Sequence, residues 1–88
     1  DTEGTFEQLQ ERVEKTKAFL ETFTANQIDG TEDKAISLKV GGHELNFKGQ
    51  DYLLNFVIPN FYFHITTAYA ILRHNGVDVG KMDFLGSM

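Results

Sequence analysis

The sequence contains no cysteine and a single proline, and its few basic residues form no cluster. Without thiols, disulfide bonds and thiolate zinc sites are excluded, and nothing points to an oxidising compartment. A cytoplasmic location is the resulting expectation. Eight Lys and Arg stand against thirteen Asp and Glu, a net charge of -5, and that sign opposes attraction to nucleic-acid phosphates. Nucleic acid is not an expected partner. An unbroken hydrophobic run is missing as well. The segment from Tyr52 to Leu72 has the length of a bilayer-spanning helix, about 20 residues. However, it would place Asn55, Pro59, Asn60, His64, Thr66 and Thr67 at depth, where polar groups are costly. A buried helix of a soluble domain is expected instead, with no membrane partner. The acidic, polar stretch DTEGTFEQ at the start differs from signal and transit peptides. No glycine-framed nucleophile, Ser-His-acid pattern or phosphate loop is present.

Eighty-eight residues suggest one domain or part of one, close to the lower limit of what folds without staples. The first strong local signal is Thr5-Phe6-Glu7-Gln8, an S/T-x-x-E/Q capping box. Such a box satisfies two orphan backbone donors at a helix start. Phe6, Leu9, Val13, Thr16, Leu20 and Phe23 follow at alternating spacings of three and four. That spacing predicts an amphipathic helix over about 5–24, packed along one stripe. Residues 25–34, ANQIDGTEDK, are rich in turn formers and read as a connection.

Two alternating segments, ISLKV and HELNFK, flank Gly41-Gly42. A two-residue turn between strands requires positive φ, which glycine adopts without cost, so a hairpin over about 35–48 is predicted. Ile36, Leu38, Val40, Leu45 and Phe47 would share its buried face. A second helix is predicted over about 51–75. Asp51 stands at its positive end, Pro59 forces a kink or restart near Ile58, and Asn75-Gly76 terminates it. A tail, 77–88, follows, in which Phe84 and Leu85 are expected to dock on the helices.

The second helix carries large apolar residues around its whole circumference, among them Phe56, Ile58, Phe61, Tyr62, Phe63, Ile65, Ile71 and Leu72. A helix apolar on all sides needs several neighbours, and the chain offers one amphipathic helix and one hairpin. Two partners would meet that need: a second copy, giving a homodimer, or further N-terminal helices of the same protein. A helical bundle results in both cases.

Asn60 and His64 share one face of this helix, one turn apart. As a functional pair, His64 could supply a ligand or a general base, with Asn60 orienting it. As a structural pair, the two could satisfy each other or backbone carbonyls. Thr67 continues their face. Tyr62 and Tyr69, seven residues apart, lie on one stripe and offer either core packing with an anchored hydroxyl or a wall of a small-molecule pocket. His43 beside the glycine turn reads as exposed, and His74 as a helix-end complement.

The block NFYFHITTAYAILRHNG, with VDVGKMDFLG after it, resembles a bacterial family of unknown function within the DinB/YfiT-like superfamily of four-helix bundles. The similarity extends back through GQDYLLNFVIPNFYFH, KVGGHELNF and TFEQLQERVEKTKAFL, and so covers almost the whole chain. It implies a mainly α fold, an up-down four-helix bundle. To that bundle residues 1–88 would contribute a C-terminal half, two long helices joined by a hairpin. Superfamily members hold a divalent metal with three histidines, two of them in an H-x-x-x-H pair shortly before an L-R-x-x-G helix end. Leu72-Arg73-His74-Asn75-Gly76 fits that ending, which aligns His64 with the second histidine of the pair and Asn60 with the first. An amide oxygen is a weak ligand for zinc, nickel or iron beside an imidazole. The resemblance therefore implies a helical module with a degenerate metal site, serving binding or structure. Its alternative is a divalent-metal enzyme of the thiol transferase or hydrolase type with His64 as a ligand.

Overall fold

The computed structural model describes residues 1–87. The chain is mainly helical with one small hairpin, and it divides into two compact units, Asp1–Thr31 and Glu32–Met88.

In the first unit, α1 runs from Phe6 to Leu20 and is started by the Thr5 capping box. The Gln8 amide donates to Thr5 Oγ1 at 3.1 Å, and the Thr5 amide donates to Gln8 Oε1 at 3.1 Å. The helix ends at Leu20, short of the expected 24, because Thr22 and Phe23 bend back to the carbonyls of Phe19 and Leu20. Phe23 nonetheless keeps an edge-to-face contact with Phe19, ring centroids 5.1 Å apart. Part of the expected connection is itself helical, since a single turn, α2, covers Ala25–Ile28. Its start repeats half of the α1 device, the Thr24 amide donating to Gln27 Oε1 at 2.7 Å, while the Gln27 amide donates to the Thr24 carbonyl.

In the second unit, β1 (Ala35–Val40) and β2 (His43–Lys48) pair antiparallel around Gly41-Gly42, whose φ angles are 57° and 81°. The register sets Ile36 opposite Phe47 and Leu38 opposite Leu45, and these four side chains are half-buried. Val40, expected on the same buried face, is exposed. It pairs with His43 at the tip, beyond the reach of the helix that covers the other pairs. On the opposite face Ser37 Oγ donates to Asn46 Oδ1 at 2.7 Å, and Lys39 faces Glu44.

One continuous helical rod follows. It begins as α3 (Gly49–Tyr52), widens into a π turn over Leu53–Val57, and continues as α4 (Ile58–His74). Lys48 occupies the N-cap position of α3 without a side-chain cap bond, and Asp51 lies in the first turn, where a carboxylate favours the positive end. The π turn is explained by Pro59. Proline lacks an amide hydrogen and its ring collides with the carbonyl four residues earlier, here Asn55. The wider winding, in which the Ile58 amide donates to the Leu53 carbonyl, absorbs that conflict without breaking the rod. The hairpin rests on this segment through Phe47, whose ring lies 5.6 Å from Tyr52 and 5.7 Å from Phe56, with Tyr52 and Phe56 stacked at 5.6 Å.

The end of α4 is closed by a Schellman motif, in which Val77 donates to the Leu72 carbonyl and Gly76 to the Arg73 carbonyl, both at 3.1 Å. Gly76 takes φ 92°, the left-handed region that this motif requires. A last short helix, α5 (Lys81–Leu85), is started by the Asp83 carboxylate, which accepts from the Gly80 amide at 2.9 Å. Phe84 docks on α4, its ring edge-to-face with Tyr69 at 5.2 Å.

Among the described residues none is buried. The best-covered side chains are those between hairpin and rod and those beneath α5.

Candidate functional site

The candidate residues all lie on α4, so the helix alone fixes their mutual geometry. Asn60 and His64 stand one turn apart on one face, both exposed. The His64 imidazole packs edge-to-face against Phe63, centroids 5.5 Å apart at 83°.

Two residues of separation turn a helix by about 200°, so Tyr62 and His64 project from nearly opposite sides of α4. Tyr69, seven residues beyond Tyr62, returns to the Tyr62 side. Its hydroxyl is engaged by the chain itself, donating to the Gly80 carbonyl at 2.5 Å. Tyr62 is exposed, with the Phe61 ring edge-on at 5.7 Å. Thr67, three residues from His64 and seven from Asn60, continues the Asn60–His64 face as expected. It lines a shallow groove along the C-terminal half of α4, together with Thr66, Ala70, Ile71, His74 and Asn75. The helix thus keeps Asn60, His64 and Thr67 on one face, with His74 further along it, and Tyr62 with Tyr69 on the other. His74 was expected only as a helix-end complement; its place in the groove follows from its spacing of seven from Thr67, a signal present in the sequence.

No group of three or more His, Cys, Asp or Glu side chains gathers among the described residues in a way that could hold a metal ion. One imidazole and one amide do not fit a three-histidine divalent site, because such an ion needs at least three good donors to outcompete water. What the face can do is present a polar pair within a surface that is otherwise greasy. Phe61, Tyr62 and Phe63 are 59, 55 and 66% exposed, and Ile65, Ile71 and Leu72 are exposed as well.

Among the described residues, no helix is long and apolar enough to cross a membrane. A group displaced from its ordinary ionisation lies in the first unit. There the Arg12 guanidinium, hydrogen-bonded to the Glu3 carboxylate at 2.8 Å, holds that carboxyl below the usual range.

A mainly helical fold, one hairpin and an apolar terminal rod define the class of domain. Residues 1–85 match the family described as a domain of unknown function, DUF1993, and the chain belongs to that family. Neither the curated proteins nor the solved structures contain a match to it.

Proposed function

We propose that the chain is a DinB-like helical-bundle module that serves binding or structure through its apolar helix faces, with a metal position that has degenerated to Asn60 and His64. The observation that carries this reading is the exposure of large apolar side chains all round α4. A helix of that character is stable in water only when other helices cover it, so association is its first task. The donor set supports the second part, since a weak amide ligand stands one turn from the single imidazole and no further ligating group accompanies them among the described residues.

The test is elemental analysis of protein purified without chelator, with zinc and nickel titrations of the unaltered protein and of His64→Ala. Substoichiometric metal and the same weak affinity in both proteins are expected. Close to one equivalent of zinc, nickel or iron, lost in His64→Ala, would instead establish a working metal centre and overturn the degenerate-site reading.

A further inference from the structure

We infer that Asn75-Gly76 is a self-modifying site: Asn75 loses ammonia through a succinimide at a rate set by opening of the α4 terminus, and the product loosens the segment 77–85. The inference goes beyond the bundle reading above and does not rest on it. The chemistry begins with the neighbour. After the Gly76 amide gives its proton to water, its nitrogen attacks Cγ of Asn75. A new N–C bond forms, the Cγ–Nδ2 bond breaks, and Nδ2 takes up a proton and leaves as ammonia. Water then adds at either carbonyl of the ring, giving aspartate or isoaspartate, and no further reactant enters. Five asparagines are present, and asparagine is among the thermolabile residues. Asn26 precedes Gln, and Asn46, Asn55 and Asn60 each precede Phe, so at those positions a side chain crowds the attacking nitrogen. Gly76 has no side chain. Both Asn75 and Gly76 are exposed, so water reaches the ring.

The structure adds a lock on each reactant. The Asn75 side chain donates through Nδ2 to the Ile71 carbonyl at 2.7 Å, which turns it back along the helix and away from Gly76. The Gly76 amide, the nucleophile, donates to the Arg73 carbonyl at 3.1 Å, so its proton is held within the Schellman motif. Asn75 is fixed between them by its own amide, shared between the Ile71 and Leu72 carbonyls at 3.1 Å each, with φ -91° and ψ 15°. Ring closure needs both bonds broken and the Asn75 side chain swung towards Gly76. Helix ends open far more readily than helix interiors, so opening is the step that admits the reaction. While opening and closing are fast, the rate follows the open fraction.

The product works against the motif that delayed it. An aspartate has no donor for the Ile71 carbonyl, and its negative charge stands at the negative end of α4, where a cation rather than an anion is favoured. An isoaspartate carries the main chain through the former side chain, one carbon longer, so the Gly76 and Val77 amides lose their register with the Arg73 and Leu72 carbonyls. Those two bonds are the first ties that lead the chain from α4 back towards Tyr69. Beyond them remain the Tyr69 hydroxyl on the Gly80 carbonyl and the Phe84 ring on Tyr69. Losing the first ties leaves the segment 77–85 on the other two, and the change is irreversible, because ammonia has left.

The test incubates the whole chain at mildly alkaline pH, folded and in denaturing urea, and follows ammonia release and the site of the amide-to-acid mass gain by peptide mapping. Conversion at Asn75 ahead of the other asparagines is expected, about tenfold to a hundredfold slower in the folded chain, the protection given by a terminus closed by a few hydrogen bonds. Asn75→Gln, whose longer side chain disfavours the ring, should abolish ammonia release at that position. Hydrogen exchange of amides 76–85 in the aged chain and in Asn75→Asp should accelerate about tenfold, for one lost hydrogen bond and one adverse charge, while amides 60–68 stay unchanged. The rate measurement needs no variant and so does not depend on how Asn75→Gln or Asn75→Asp folds. Equal rates in the folded and unfolded chain, an earlier conversion at Asn26, Asn46, Asn55 or Asn60, or unaltered exchange at 76–85 after conversion would each overturn the inference.

Discussion

The Tyr69 hydroxyl donates to the Gly80 carbonyl across eleven residues of chain, in a part-buried bond that fastens the segment after α4 back onto the helix. The same tyrosine ring receives the edge of Phe84, so one side chain anchors both the approach to α5 and its apolar face. Tyr69→Phe removes the hydroxyl and leaves the ring. A single hydrogen bond is worth about 1 kcal/mol net, and the loss should be local. Hydrogen exchange of amides 80–85 is expected to accelerate about fivefold while those of 60–72 are unchanged. Equal acceleration across α4 would show that the bond supports the whole rod.

Glu3 and Arg12 form a second long-distance tie, in the first unit, with Asp1 a further 3.8 Å from the same guanidinium. Because the folded carboxyl is depressed below its ordinary value of 4.5, the contact contributes above that pH and is lost as pH falls through the lower folded value. Proton titration of Glu3 followed by NMR should give a midpoint under 4.5, and Arg12→Ala should return it to the ordinary range. A midpoint unmoved by Arg12→Ala would assign the shift to the local backbone instead.

Gly76→Ala tests the closure of α4. A methyl group there meets no atom within 4 Å, but the residue sits at φ 92°, a region that costs a non-glycine residue about 1–2 kcal/mol. The urea midpoint should fall accordingly, and Gly76→Asn should cost less, because asparagine tolerates the left-handed region. Equal losses for the two substitutions would point away from backbone strain.

Pro59→Ala restores an amide hydrogen that the Asn55 carbonyl can accept. If proline is the cause of the wide turn at Leu53–Val57, the substitution should convert it to ordinary α winding. NMR contacts of the (i, i+3) and (i, i+4) kind across 53–59 would report the change. A π pattern that persists in Pro59→Ala would place its cause in the packing of Phe47 on Phe56.

The sequence made those features legible that neighbouring residues determine. Thr5 with Gln8, the Gly41-Gly42 turn, the Asn75-Gly76 terminus and the irregular winding ahead of Pro59 each depend on contacts within a few residues, and each is found where local chemistry puts it. By the same rule the Thr24 and Gln27 pair that starts α2 is a local signal, masked by a segment dominated by turn formers. Alternation marked Val40 as inward, but it could not say that the covering helix ends before the hairpin tip. Nor could Pro59 announce π rather than kink, because that choice depends on which carbonyl the next free amide reaches. For the site, helical spacing fixed Asn60 against His64 and separated both from Tyr62. The fastening of Tyr69 to Gly80 needed the path of the tail, which no periodicity encodes.

The wide turn has a further effect on the hairpin. A helix advances about 100° for every residue, so the surplus residue accommodated between Leu53 and Val57 acts as an angular shim. The aromatic seat at Tyr52 and Phe56 lies at and before this shim, and the groove lies after it. Shortening the segment by one residue would swing the two strands about a quarter turn round the rod, carrying the Lys39 and Glu44 face to a new bearing without altering one contact inside the hairpin.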